Sequence, residues 1–106
     1  MKSEYFENEK TLLLKITEEL DHHAVEKIRK KADYEIERYI PRKVVFDFSN
    51  VTFMDSAGIG LILGRYKNIS ILGGKLEVVN VTESVNKILN MSGINKVINI
   101  SKEECA

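Results

Sequence analysis

Three groups of residues in this 106-residue chain have types and spacing that admit chemistry: the adjacent histidines His22 and His23, the stretch Asp55-Ser56-Ala57-Gly58, and the pair Gly58-x-Gly60. The histidines invite a metal ion, but neighbours on a helix point about 100° apart and no Glu-x-x-His spacing follows. Their blander role is to stand at a helix start, covering the sheet edge or meeting a partner. Ser56 could serve as a nucleophile, with His22 or His23 as base and Asp21 or Asp55 as orienting carboxylate. No Gly-x-Ser-x-Gly elbow surrounds it, however, and a domain this small offers little depth for an enclosed substrate. Gly58-x-Gly60 beside a helix start offers amides to an anion. Neither the Walker pattern nor the three-glycine dinucleotide fingerprint is present, and the same glycines equally let a helix lie close to the sheet or let a protein approach its first turn.

A fourth reading uses these positions without catalysis. Ser56 is a hydroxyl at a helix start, where a phosphoryl group would add about −1.5 to −2 charge beside Asp55 and meet backbone amides. Around it, Met54 and the glycines leave a flat, partly apolar patch. At about 5 Å and an effective dielectric near 20, each like-charge pair costs roughly 3 kcal/mol, and every 1.4 kcal/mol is about a tenfold loss of affinity. One modification would therefore end a tight complex.

The elements that must position these residues follow from periodicity. Short apolar runs at Tyr5–Asn8 and Thr11–Thr17, split by Glu9-Lys10, predict an opening hairpin with a tight turn. Leu12 to Ile16 is more continuous than alternating and predicts a strand covered on both faces. Asp21 is a candidate N-cap for a helix with its apolar face at Val25, Ile28, Ala32, Ile36 and Tyr39, which Pro41 ends. Val44 to Phe48 reads as a buried strand, and Ser56 as the N-cap of a second helix through Ile59, Ile62, Leu63, Tyr66 and Ile69. Gly73-Gly74 ends it, Lys75 to Val81 is a strand, and Thr82 begins a short helix closed by Gly93. Val97 to Ile100 supplies a last edge strand. Right-handed crossings put the loops after parallel strands on one sheet edge, so Asp21, Asn50 to Ser56 and Asn80 to Thr82 should converge.

Composition bounds the rest. Sixteen Lys and Arg balance sixteen Asp and Glu, which argues against a broad nucleic-acid footprint. Apolar runs stay far short of the roughly 20 residues that span a bilayer, and the first residues form no signal core. The single cysteine, Cys105, has no thiol or histidine neighbours with which to form a disulfide or zinc site. The expectation is one cytoplasmic domain over residues 1–106, without metal or cofactor.

The stretch Phe53-Met54-Asp55-Ser56-Ala57-Gly58-Ile59-Gly60-Leu61-Ile62-Leu63-Gly64-Arg65-Tyr66-Lys67 resembles the signature of bacterial anti-sigma factor antagonists, small proteins built on the STAS domain. Glu19-Leu20-Asp21-His22-His23-Ala24, Val44 to Asp47, Gly73-Gly74 and Met91-Ser92-Gly93-Ile94 resemble the sporulation branch of that family. The resemblance implies an α/β fold, a STAS-like single domain. Its sheet would be mixed and mainly parallel, with four or five strands, an antiparallel N-terminal hairpin and three or four helices. It also implies that Ser56 is phosphorylated by the anti-sigma factor, a serine/threonine kinase. The unphosphorylated form would bind that kinase and release the sporulation sigma factor; phosphorylation would dissociate the pair until a phosphatase resets it. The partner surface would comprise Asp21, His22, His23, Asn50, Met54, Asp55, Ala57, Gly58 and Ile59, with no catalytic residue, DNA contact or membrane contact. Two departures stand out. Glu18 replaces a glycine common in relatives, and Ala57 replaces a second serine, leaving Ser56 the sole hydroxyl of the motif. Two other readings are a STAS module of a stress-signalling or transport assembly and a small nucleotide-binding domain using the Gly58 to Gly60 turn.

Overall fold

The computed structural model describes residues 1–103; the expectations about Cys105 fall outside the described residues. Polar Lys2–Phe6 forms β1, an edge strand, and Thr11–Lys15 forms β2 antiparallel to it, with Leu13 opposite Glu4. The turn is longer than Glu9-Lys10. It runs from Glu7 to Lys10, because Lys10 takes a left-handed conformation (φ 50°) and its amide donates to the Glu7 carbonyl at 3.2 Å.

From β2 the chain passes through α1 (Val25–Tyr39), β3 (Lys43–Asp47), α2 (Ser56–Ile71), β4 (Lys75–Val81), α3 (Glu83–Ser92), a 3-10 turn (Ile94–Lys96) and β5 (Asn99–Lys102). The last strand begins two residues later than Val97, which the 3-10 turn displaces. Gly93, at φ 80°, makes that turn possible by ending α3 left-handed, a conformation a Cβ would penalise. Strands lie in the order β1-β2-β3-β4-β5, all pairs after the first being parallel.

This order decides where the core sits. When each strand is laid beside its predecessor in one direction, right-handed crossovers carry every connecting helix over the same face. That face is dry: Leu12, Val44 and Leu76 form one row across the sheet and Leu14, Phe46 and Val78 the next, all nearly or fully buried. They pack with Ile28, Ala32 and Ile36 of α1, Leu61, Ile62 and Ile69 of α2, and Val85 and Leu89 of α3 in one cluster. Each such side chain stabilises by about 1.5–3 kcal/mol when fully buried. The opposite face carries Leu13, Val45 and Glu77, all half-buried, and a Lys43–Glu77 ion pair at 3.1 Å. The expectation that β2 is covered on both faces therefore fails. Its run of three leucines hides an alternation in which Leu12 and Leu14 face the core and Leu13 does not.

Pro41 ends α1 by excluding the α conformation from the residue before it. Ile40 consequently closes the helix left-handed (φ 45°, ψ 60°) while its amide donates to the Ile36 carbonyl at 2.8 Å. A β-branched residue is strained there, at a cost of about 1–2 kcal/mol, and 61% of Ile40 is exposed, so little burial offsets the strain. Ile40→Gly is expected to stabilise the fold by about 1 kcal/mol, read as a higher urea midpoint with unchanged slope.

Candidate functional site

The loops after β2 and β3 are held together by their backbones. Leu20 and Met54 form an isolated parallel bridge, in which the Leu20 amide donates to the Phe53 carbonyl (3.1 Å) and the Asp55 amide to the Leu20 carbonyl (3.2 Å). Side chains reinforce it. Glu19 accepts from the Thr52 amide at 3.1 Å and the Thr52 hydroxyl at 2.7 Å. On the other side, Thr82 reaches the Val51 carbonyl at 3.5 Å, and Asp47 accepts from the Ser49 amide and the Asn80 side chain. The three loops converge on one edge as their topology requires.

Asp55 organises that edge. One carboxylate oxygen accepts from the Ala57 amide at 2.8 Å; the other accepts from the His22 amide at 3.2 Å and stands 3.6 Å from His22 Nδ1. Its carbonyl accepts from the Gly58 amide at 3.0 Å. The N-cap of α2 is therefore Asp55, and Ser56, expected in that role, is the first helical residue. A carboxylate outcompetes a hydroxyl as acceptor for helix-start amides because its charge also opposes the positive helix end. Desolvation raises the Asp55 carboxyl, but hydrogen bonds from Ala57 and His22 and the His22 ring outweigh it and hold it below its ordinary value of 3.8.

Asp21 likewise misses the N-cap position. Its carboxylate accepts from the His23 and Ala24 amides, both at 3.0 Å, and so closes a separate turn ahead of α1, whose N-cap is Ala24. His22 and His23 are exposed, with ring centroids 4.0 Å apart. Ser56 is exposed, and among the described residues its hydroxyl has no hydrogen-bond partner. His22 Nδ1 faces Asp55 instead of that hydroxyl, so a serine nucleophile with its base is not assembled. The anion-cradle reading fails as well, since Asp55 already occupies the amides of Ala57 and Gly58. For the same reason, two of the amides at the helix start, those of Ala57 and Gly58, are not free to receive a phosphoryl group.

Ala57 and Ile59 are half-buried beside Ser56, and Asn50 is exposed on the turn after Phe48, with no hydrogen bond to the Asp55 cluster among the described residues. Met54 and Gly58 lie beneath the surface. Met54 is 2% exposed, and a Cβ on Gly58 would stand 2.3 Å from Met54 Cγ and 3.1 Å from Leu20 Cβ. They hold the helix start against the Leu20–Met54 bridge and do not themselves form the outer patch. The sequence reading missed Glu19, whose carboxylate locks the two loops, and the α1–α2 pair of Asp33 with Arg65, where Nε stands 2.8 Å from a carboxylate oxygen. Among the described residues no three His, Cys, Asp or Glu side chains stand together as a metal site.

A family model described as the STAS domain matches residues 3–104. An anti-sigma F factor antagonist of Paenibacillus polymyxa is 40% identical over 93 residues, spanning 88% of this chain and 80% of its own. Among solved structures, the anti-sigma factor antagonist SpoIIAA in its unphosphorylated form superposes with a TM-score of 0.79 at 31% identity, covering 96% of this chain and 88% of that one. The Bacillus cell fate determinant SpoIIAA in the phosphorylated form gives 0.70 at 30% identity, covering 96% and 91%.

Two outcomes test this geometry. Gly58→Ala should destabilise by about 1–3 kcal/mol, since its methyl displaces the Met54 side chain from a packed site; thermal melting reads it. Because the Asp55 pKa is depressed on folding, its stabilisation is complete above about pH 4 and is lost as pH falls through the lower folded value. Asp55→Asn, which keeps a capping side chain, should remove part of the acid-induced loss in urea melts between pH 5 and 2 while Asp47 and Glu18, depressed likewise, retain theirs.

Proposed function

This chain belongs to the STAS-domain family, and from that membership we infer that it is an anti-sigma factor antagonist switched by phosphorylation of Ser56. The unphosphorylated form binds an anti-sigma factor that is also a serine/threonine kinase, and so frees a sporulation sigma factor. Phosphorylation ends the complex, and a phosphatase restores it. The chain itself catalyses nothing in this cycle.

The observation that carries the reading is the setting of Ser56. Its hydroxyl is exposed, unshared and one residue beyond the cap, so a kinase reaches it without unfolding the helix. A phosphoryl group there stands beside the Asp55 carboxylate, and Asp55 already holds the Ala57 and Gly58 N–H groups. The added charge therefore stays on the surface, where it repels a partner shaped to the hydroxyl. Each like-charge contact at about 5 Å costs roughly 3 kcal/mol at an effective dielectric near 20, enough to lower affinity more than a hundredfold. Ala57 in place of a second serine restricts the modification to one position. Asp21, His22, His23 and Asn50 extend the docking surface around it, with Ala57 and Ile59 at its centre.

Incubation with the purified anti-sigma factor and ATP is expected to label the native chain on Ser56 and to leave Ser56→Ala unlabelled; labelling of Ser56→Ala at the native rate refutes the assignment. Ser56→Asp should bind the anti-sigma factor at least tenfold more weakly by titration calorimetry. Its melting temperature should stay within about 2 °C of the native chain, since an acidic first turn suits the helix.

A further inference from the structure

The outer side of β1 is an open sheet edge. The Ile16 amide donates to the Asp47 carbonyl of β3, so by the alternation along a strand Leu13 and Lys15 turn their backbone groups toward β1. Lys2 and Glu4 lie opposite them and complete that ladder. Ser3 and Tyr5 therefore point their N–H and C=O groups outward, and among the described residues these meet no hydrogen-bond partner. Of the devices that blunt such an edge, β1 has the charges of Lys2 and Glu4 but no proline, and its pairs with β2 run without a bulge.

A cavity flanks this edge on each face of the sheet. On the helix side about 430 Å³ opens between α1 and β1, lined by Ser3, Lys30, Lys31, Tyr34 and Glu35. The stacked rings of Tyr5 and Tyr39, 4.2 Å apart, hold α1 over β1 beside it. On the open face about 330 Å³ is lined by Lys2, Glu4, Leu13 and Lys15. A strand added to β1 sends successive side chains to opposite faces, so consecutive residues enter one cavity and then the other. Main-chain bonds then supply affinity, and pockets for alternate side chains supply selectivity. The lining sets the sign of the charge, since each cavity carries two lysines and one glutamate. Lys30 lies 3.9 Å from Glu26, Glu35 lies 3.9 Å from Arg38, and Lys15 stands opposite Asp47. Lys2 and Lys31 enter no ion pair among the described residues and face only Glu4 as an unpaired carboxylate. Tyr34, 64% exposed, adds an aromatic surface left to water.

We propose that the β1 edge takes up an extended, acidic segment of another protein as a sixth strand, its side chains alternating between the two cavities and its carboxylates meeting Lys31 and Lys2. A second copy of this chain fits less well. Pairing β1 with its own copy about a two-fold axis sets Lys30 and Lys31 of both copies toward one another. The surface is separate from Ser56 and does not depend on the anti-sigma reading.

The test is a titration of the isotope-labelled full chain with the peptide acetyl-Glu-Val-Glu-Val-Glu-amide at neutral pH, followed by amide chemical shifts. The peptide should bind with a dissociation constant below about 1 mM, moving the amides of Ser3, Tyr5 and Lys30 to Tyr34 while those of α3 stay in place. Lys31→Glu and Tyr34→Ala, both at exposed positions, should fold as the native chain does and bind at least about fivefold more weakly. Two N-methylated peptides read the backbone, one carrying its methyls on the valines and the other on the glutamates. Only alternate amides of an added strand face its neighbour, so one version should bind and the other should not. The proposal is overturned if the unmethylated peptide does not bind, if its shifts fall away from β1 and α1, or if both methylated versions behave alike. Equal affinity for acetyl-Lys-Val-Lys-Val-Lys-amide overturns it as well. So does a chain that sediments alone as a dimer which Lys31→Glu strengthens and the peptide leaves intact, because the edge then belongs to a second copy.

Discussion

One carboxylate, that of Asp55, holds the functional edge in place. It caps α2 through Ala57 and ties the loop after β2 through the His22 amide. A helix end leaves its first N–H groups without intrahelical partners, and some acceptor must take them. Here the acceptor is the residue next to Ser56. Its own pKa is depressed by the same bonds, which favour the charged form. Cap, loop clasp and local field are thus three effects of one group.

The sheet topology sets the scale on which this edge acts. Strands laid down in a single direction place every helix on one face, and the N-terminal ends of α1 and α2 then rise beside each other at the carboxyl edge of β2 and β3. Glu19 to Thr52 and Leu20 to Met54 draw those loops together, and Gly58 lets the helix start settle onto the bridge without a methyl in the way. Arg65 and Asp33 join the same two helices two turns further along. The surface around Ser56 is thus bound at both levels.

Much of this was legible in the residues. Thr82 and Gly93 bracket α3 as expected, Lys75 to Val81 is β4, and the convergence of three loops followed from handedness alone. The errors have identifiable causes. Asp and Ser at adjacent positions both favour capping, and propensity does not decide between 55 and 56; charge does. Asp21 has the right type but closes a turn of its own three residues ahead of the helix cap. In Leu12-Leu13-Leu14 the alternation is invisible because both faces carry the same residue, so only the register with Glu77 and Val45 reveals which side is dry. Arg65 could have been found, since it falls at the spacing of Gly58, Leu61, Ile62 and Ile69, which places a cation on the buried stripe of α2.

The occupied amides at the start of α2 also govern time. Phosphate monoesters hydrolyse extremely slowly without help. Help would require a base poised over a water and donors cradling the departing group, but the His22 imidazole faces Asp55 and the Ala57 and Gly58 N–H groups are already bonded to Asp55. A phosphoryl mark on this chain would keep no clock of its own. Its duration would be written entirely by other molecules, which lets one scaffold serve a brief pulse or a lasting commitment without altering a residue.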